Sequence, residues 1–168
     1  MKKILLLTFT LKVCLFSEFI RYEKVVIDDK TNLMWQDQYH DDEPKTKENN
    51  DEYVPNITLT TWNKAIIYCR ELTLNGYSDW RLPNLTELSS LIIYKKKYPQ
   101  IDIDSAFRSV ASSKFSGYWT STSRKHFPGL AMRINFYNGD ECVGVKTTSF
   151  YVRCVRQIST NSTPSSNK

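Results

Sequence analysis

The chain has 168 residues, enough for one domain that buries about 70 % of the surface of its unfolded chain. Its hydrophobic content of 40 % and aromatic content of 13 % exclude global disorder, because both are ample for a globular core. The net charge is +5, but without Lys2, Lys3 and Lys12 it is +2, since 20 basic and 18 acidic residues remain. A surplus this small predicts neither a nucleic-acid partner nor a patch for a membrane surface.

The first residues have the pattern of a secretory signal. Lys2 and Lys3 form a positive end, residues 4–16 are mostly apolar, and Ser17 is a small residue suited to cleavage. The apolar run is shorter than the roughly 20 residues that a spanning helix needs. We therefore predict a signal peptide over 1–17 and an exported protein, periplasmic, secreted or at the cell surface, that is not transmembrane.

Two alternatives concern the same segment. An amphipathic N-terminal helix of a cytosolic protein is the less favoured one. Residues 11–14 have the outline of a lipoprotein acylation site at Cys14, but Val13 stands where a small Gly, Ala or Ser is required. The sequence therefore favours export without lipidation.

Three cysteines, Cys69, Cys142 and Cys154, follow the predicted signal. In an oxidising compartment two of them are expected to form a disulfide and one to be left over, and the spacing does not assign the pair. No C-x-x-C motif is present, and only His40 and His126 are available as further ligands, so a zinc site is not expected. We predict no metal and no cofactor.

The first part of the predicted domain is a hairpin followed by a loop. Two β-prone runs, residues 25–27 and 33–35, flank a stretch of turn formers and predict a β-hairpin. Residues 37–56 are polar and charged, which predicts a solvated loop. Its acidic residues lack the alternation and the turn glycine of a calcium loop, so calcium binding is not expected there.

Two helices are predicted in the middle of the chain. The first begins near Thr60 or Thr61, which are good N-caps, and ends at Gly76 in a left-handed conformation. The second begins at Asn84, which forms a capping-box pattern with Glu87. The residues expected to face the core are Trp62, Ala65, Ile66, Cys69 and Leu72 in the first helix, and Leu85, Leu88, Leu91 and Ile92 in the second.

The rest of the chain is mainly β-prone. We interpret lysines 95–97 as the solvated end of the second helix and not as an anion site. The sequence of residues 101–107 predicts a short turn or helix. Candidate strands cover residues 118–122, 130–136 and 150–155, with a tight turn at 138–140. Residues 159–168 are rich in Ser, Thr, Asn and Pro and are predicted to be disordered. The fold class is α+β, with antiparallel strands around and after two helices.

Four ordered motifs resemble a known family. They are Thr31 to Gln36, Gly76 to Pro83 with Glu87 and Leu88, Tyr118 to Thr122, and Tyr151 to Arg156. Residues 25–157 are therefore similar to the bacterial domain family named after the C-terminal domain of the Lcl collagen-like adhesin, long catalogued as of unknown function. Four motifs in this order are specific, whereas any one of them alone is weak.

The resemblance implies a fold. The family is similar to the C-type-lectin-like superfamily, so residues 18–158 are expected to form one domain with adjacent termini and two helices flanking a twisted antiparallel sheet. The first helix then lies beside the final strand, which implies a disulfide between Cys69 and Cys154. A loop of that length contributes ~4 kcal/mol on the chain-entropy model.

The same superfamily holds the formylglycine-generating sulfatase-modifying enzymes, which bind copper through two neighbouring cysteines. Cys154 matches one of them, but residues 146–150 supply no partner and Cys142 lies on the far side of a predicted hairpin. A lone thiolate does not make the two-coordinate soft site that this chemistry needs. His126 as a general base beside a loop serine is less favoured than a solvated loop histidine. We expect no enzyme activity and predict no catalytic residue.

The resemblance also implies a function. Some members of the family are adhesive domains that recognise sulfated or other polyanionic glycans, often as oligomers. This implies a non-catalytic binding module with basic and aromatic loop contacts, for which the candidates are Lys114, Arg124, Lys125, His126, Lys146, Tyr118, Trp119 and Tyr137.

Other interpretations of these residues stay open. Trp119 is more typical of a core residue, and Arg153 and Arg156 suit a structural ion pair as well as a ligand. A structural or protein-binding component of a bacterial envelope assembly is the alternative function, and a large exposed apolar patch would favour it. Calcium-dependent sugar binding is not expected, because neither a Glu-Pro-Asn nor a Trp-Asn-Asp tripeptide is present.

Overall fold

The computed structural model describes residues 19–38, 59–94 and 101–158. The predicted signal peptide, most of the predicted polar loop, lysines 95–97 and the predicted disordered tail lie outside the described residues. Within those residues, no helix is long and apolar enough to cross a membrane.

The described residues form eleven strands and two helices, an α+β architecture that is rich in strands. The strands are β1 (Phe19–Tyr22), β2 (Val25–Asp28), β3 (Leu33–Gln36), β4 (Leu59–Thr60), β5 (Ile93–Tyr94), β6 (Ile101–Asp102), β7 (Tyr118–Ser123), β8 (Leu130–Ile134), β9 (Glu141–Val145), β10 (Phe150–Tyr151) and β11 (Val155–Gln157). The helices are α1 (Trp62–Glu71) and α2 (Leu85–Ser89).

The strands form two main sheets. The first has the order β1-β2-β3-β11 and is antiparallel throughout, so the predicted hairpin of β2 and β3 is confirmed. The second has the order β4-β10-β7-β8-β9 and is antiparallel except where β10 runs parallel to β7. Strands β5 and β6 form a separate two-stranded sheet.

The predicted strand over 150–155 is wrong in one respect, because the structure divides it between the sheets. Strand β10 ends at Tyr151 in the second sheet, and β11 begins at Val155 in the first. The intervening residues cross between the sheets and are buried. Among them, Arg153 is ion-paired to Asp37 inside the protein, and the carbonyl oxygen of Cys154 accepts from the N–H of Gln36.

The first helix agrees with its predicted beginning but not with its predicted end. Ala65 and Cys69 are buried, as expected, and Thr61 is the N-cap, although its side chain makes no capping hydrogen bond. Helix α1 ends at Glu71. Gly76 instead lies in a tight turn with Asn75, where their φ angles are +78° and +50°. The left-handed glycine was predicted correctly, but it belongs to a turn and not to a helix end.

The second helix has the predicted capping box. The Asn84 side chain accepts from the N–H of Glu87 at 2.8 Å, and the Glu87 carboxylate accepts from the N–H of Asn84 at 2.8 Å. Leu88, Leu91 and Ile92 are buried, as their spacing predicted. The cap therefore sets the start of α2 and directs its apolar residues inward.

The segment between the helices connects the two sheets. Trp80 and Leu82 are buried in one core cluster, while the backbone N–H and C=O of Arg81 both bond to Val155 in β11 at 2.9 Å. The N–H of Ser121 in β7 donates to the carbonyl oxygen of Pro83 at 2.7 Å. This short segment therefore contacts the last strand of one sheet and the central strand of the other.

The resemblance implied a disulfide between Cys69 and Cys154, and the structure contains it. The two Cα atoms are 5.4 Å apart, and both residues are fully buried. The bond joins α1 to the crossing segment before β11, as the implied placement of the first helix beside the final strand requires.

The prediction that residue 37 belongs to a solvated loop is wrong. Asp37 is buried, and its carboxylate accepts from the guanidinium groups of Arg153 and Arg21 and from the backbone N–H groups of Arg108 and Ser109. Burial by itself raises the pKa of Asp37, but the charge of Arg153 and these hydrogen bonds outweigh it and hold the pKa below its usual value. Asp37 thus ties three distant parts of the chain together.

Candidate functional site

The loop between β7 and β8, residues 124–129, presents three of the predicted contact residues to solvent. Two backbone hydrogen bonds close the loop. The N–H of Arg124 donates to the carbonyl oxygen of Leu130 at 3.1 Å, and the N–H of Leu130 donates to the carbonyl oxygen of Phe127 at 2.9 Å. The side chains of Arg124, Lys125 and His126 are exposed, and His126 has a φ of +67°. The loop is therefore a defined turn that carries adjacent cations.

Lys146 lies beside this loop, directly after β9. Its backbone N–H donates to the carbonyl oxygen of Gly129 at 2.9 Å, which links the residue to the loop. Its ammonium group lies 3.8 Å from the centre of the Trp62 ring and donates to the Ser123 hydroxyl at 2.6 Å. The Trp62 indole is itself held by a bond from Nε1 to the carbonyl oxygen of Thr120 at 2.8 Å. Lys146 is therefore held in one place by a fixed aromatic ring.

We call Arg124, Lys125, His126 and Lys146 the basic loop face. Among the described residues, no ion pair involves any of the four. The described stretches that meet there, residues 59–66, 121–130 and 143–149, contain no Asp or Glu. The positive charge of this face is therefore not neutralised by neighbouring described carboxylates, and it is available to an anion.

The other two predicted contacts, Lys114 and Tyr137, lie at the opposite end of β8. The Asn135 amide donates to the carbonyl oxygen of Lys114 at 2.9 Å and accepts from the N–H of Tyr137 at 2.7 Å. Because the loop face begins before Leu130, the two ends are separated by the length of β8, about 13 Å at the rise of a strand. The structure thus separates Lys114 and Tyr137 from the four residues of the basic loop face.

Two of the predicted aromatic contacts belong to the core. Tyr118 and Trp119 are both fully buried. The Tyr118 hydroxyl accepts from the N–H of Ala111 at 2.7 Å, and Trp119 Nε1 donates to the carbonyl oxygen of Thr60 at 2.9 Å. The idea that they offer stacking faces to a ligand is wrong, because their positions in the central strand of the sheet enclose them.

Sequence reasoning missed the aromatic residues that do lie at the basic loop face. Trp62 packs against the core, as its place on the core face of the first helix predicted, and its ring also lies beneath the Lys146 ammonium group. Phe127 is half exposed, and the Arg124 guanidinium lies 5.1 Å from its ring centre. Phe127 sits between three basic residues and a Pro-Gly pair, a local signal that could have identified it.

The two arginines of the last motif have structural ion pairs. Arg153 is paired with Asp37 at 2.9 Å. Arg156 makes two bonds to the Asp79 carboxylate, at 2.6 and 3.1 Å, and these bonds hold the pKa of Asp79 below its usual value. Since both guanidinium groups already have carboxylate partners, the ion-pair interpretation of the motif is the one that the structure supports.

The described residues contain no group of three or more His, Cys, Asp or Glu side chains placed to hold a metal ion. The sulfur of Cys154 is bonded to that of Cys69, and Cys142 is a free, half-buried cysteine on β9. The hydroxyl of Ser123 accepts a hydrogen bond from Lys146.

Fold and site together define a disulfide-linked α+β domain with a basic loop face. A sequence model of the Lcl C-terminal domain matches residues 24–156, and the chain therefore belongs to the Lcl C-terminal domain family. Comparison with curated proteins finds no match.

Proposed function

We propose that this protein is an exported, non-catalytic binding module of the adhesin type that recognises sulfated or other polyanionic glycans through the basic loop face. One observation carries the proposal. Arg124, Lys125 and Lys146 lie together at one end of the second sheet, and no described carboxylate pairs with them. Sulfate groups would supply the missing negative charge through charge-assisted hydrogen bonds.

The aromatic rings of this face suit the same ligand class. Trp62 and Phe127 place flat apolar surfaces next to the cations, and Phe127 is 52 % exposed. Sugar rings combine apolar faces with polar edges, so a ring can pack on an aromatic face while its sulfate groups meet the cations. The exposed cations also predict binding that weakens as salt rises.

The proposed cellular location and fold family have indirect support. A buried disulfide persists in oxidising compartments and is rare in reducing ones, which favours export to the periplasm or cell surface. The C-type-lectin-like fold is proposed on the family resemblance and on two features, the placement of α1 beside the crossing segment and of β1 and β11 in one sheet. The copper oxidase alternative has less support, because the Cys154 sulfur is bonded to Cys69.

A heparin-binding measurement tests the proposal. The double variant Arg124→Gln/Lys125→Gln is compared with Lys24→Gln/Lys30→Gln, which removes the same charge from two exposed turn residues in the other sheet. We expect the first variant to bind heparin at least about tenfold more weakly than wild type, and the second to bind nearly as well. Binding should survive a chelator. A wild-type protein that does not bind heparin, or two double variants that lose affinity equally, would contradict the proposal.

A protein partner in an envelope assembly, including a second copy of the chain, is the second candidate function. It is favoured by exposed aromatic side chains at the opposite end of β8, where Phe115 is 87 % and Tyr137 is 45 % exposed next to Lys114. Analytical ultracentrifugation of Phe115→Ser and Tyr137→Ser variants tests self-association. Loss of an oligomer with unchanged heparin binding would support a protein contact here, and a wild-type monomer would oppose self-association.

A further inference from the structure

Arg133, in the middle of β8, is a half-buried arginine without a carboxylate. Among the described residues its side chain makes no hydrogen bond and no ion pair, and its buried Nε atom has no partner. The other buried or half-buried arginines that the structure describes are all ion-paired to Asp37 or Asp79, namely Arg21, Arg153 and Arg156. Burial of a charged donor without a partner is costly, so Arg133 is the exception among these arginines.

The Arg133 side chain packs against the Phe150 ring and the backbone of Gly117. Its guanidinium lies 4.6 Å from the centre of the Phe150 ring. Gly117 leaves room for it, because a Cβ atom there would lie 2.6 Å from Nη1 and 3.1 Å from Cδ of Arg133. The Nε atom is buried with no described partner. The donors are therefore positioned before a ligand arrives, which reduces the entropy cost of binding.

Arg133 shares a sheet face with Lys146. It lies directly opposite Cys142 in the β8–β9 pairing, and the register continues without a shift along β9. Because side chains alternate along a strand, Cys142, Gly144 and Lys146 point to this same face. The five residues from Cys142 to Lys146 span about 13 Å.

Glu141, the one acid of β9, does not neutralise Arg133 or Lys146. Glu141 points to the other face of the sheet by the same alternation, and its carboxylate accepts from the Ser89 hydroxyl of α2 at 3.0 Å. Gly144 lies between the two cations, and a Cβ atom there would meet the Trp119 ring at 2.6 Å. Gly144 is covered by the buried Trp119 ring and by Phe150, and no acid lies on β9 between Arg133 and Lys146.

We propose that Arg133 is a second anion-binding site for the same ligand, taking one sulfate or carboxylate group, so that a polyanionic chain lies along β9 from Lys146 to Arg133. This inference rests on the proposed function and adds the direction of the bound chain. A guanidinium presents paired donors that match the oxygens of either group, whereas an ammonium does not. Arg133 is therefore the position where the kind of cation matters.

Heparin affinity of three full-length variants tests the proposal. We expect Arg133→Gln to bind about tenfold more weakly than wild type, and Arg133→Lys to lose part of that affinity although its charge is unchanged. Arg108→Gln is the matched control, because Arg108 is an exposed arginine without an ion pair in another part of the described chain. It should bind like wild type. Equal affinity of wild type and both Arg133 variants would overturn the site and leave the proposed function standing.

A chemical probe on the wild-type protein avoids any effect of the substitutions on folding. Cys142 is a free cysteine directly opposite Arg133, so an anion bound there should slow its alkylation by iodoacetamide. The rate is measured on the peptide that contains Cys142, with heparin present and then with inorganic sulfate against chloride at equal ionic strength. We expect heparin, and sulfate relative to chloride, to slow the alkylation of Cys142 in the wild-type protein several-fold. If wild type fails to bind heparin, slower alkylation in sulfate would still support the anion site, and equal rates in sulfate and chloride would overturn it.

Discussion

At the scale of single residues, Asp37 is a buried carboxylate that accepts hydrogen bonds from three separate segments of the chain. Its carboxylate joins Arg153 from the crossing segment, Arg21 from β1, and the backbone of residues 108 and 109. A buried ion pair is weak evidence of net stabilisation, but removal of one partner leaves the other charge buried and unpaired. The stability of the crossing segment should therefore depend on this one carboxylate.

We expect Asp37→Asn to lower the free energy of unfolding by about 3–5 kcal/mol, because Arg153 would lose its carboxylate inside the protein. Urea unfolding followed by tryptophan fluorescence measures the change. Asp29→Asn is the matched control, since Asp29 is an exposed turn residue, and its stability should equal that of wild type. A loss under 1 kcal/mol at Asp37 would show that the cluster relaxes without the charge.

The same carboxylate predicts a dependence on pH. The pKa of Asp37 is lowered in the folded protein relative to about 3.9 in an unfolded chain, so its contribution to stability is fully present above pH 3.9. It is lost as the pH falls through the lower folded-state value. The difference in unfolding free energy between wild type and Asp37→Asn should therefore shrink below pH 4. A difference that stays constant down to pH 2 would contradict this explanation.

At the scale of elements, the two helices offer a comparison of N-caps within one protein. Asn84 makes a complete capping box with Glu87, while the Thr61 side chain makes no capping bond. Helix α2 has only five residues, so its first turn depends strongly on its cap.

We expect Asn84→Ala to lower the free energy of unfolding by about 1 kcal/mol, because the N–H of Glu87 loses its acceptor. Thr61→Ala should change it by less than about 0.5 kcal/mol, because no cap bond is lost. Thermal and urea unfolding of the two variants under identical conditions give the comparison. Equal losses in both would mean that the cap geometry does not decide their stability.

At the scale of the whole molecule, the disulfide is the longest covalent constraint, closing a loop with a sequence separation of 85. The chain-entropy model gives it about 4 kcal/mol. We expect Cys69→Ala/Cys154→Ala to lose about 2–5 kcal/mol of unfolding free energy and to fold poorly at 37 °C. Cys142→Ser is the control, because that thiol is not bonded to another cysteine. Stability of the double variant equal to that of the control would exclude a stabilising role for the bond.

Local patterns predicted those parts of the molecule that depend on neighbouring residues. The alternation and turn formers of 25–35 predicted the hairpin of β2 and β3, and the Asn84-Glu87 spacing predicted the capping box. Each of these features is made by residues a few positions apart, so the chemistry that stabilises it is visible in the sequence. The disulfide pairing came only from the family resemblance, because spacing leaves three possible pairs among three cysteines.

The sequence by itself determined the α+β class, the hairpin, the second helix and the membership of the motifs in one family. Only the tertiary structure decided that Asp37 is buried, that residues 152–154 cross between two sheets, and that Trp62 lies beneath Lys146. It also separated Lys114 and Tyr137 from the basic loop face and showed Arg133 without a carboxylate. The physical reason is that these features join residues far apart in the chain, and a charge or ring acquires its partner only when folding brings distant segments into contact.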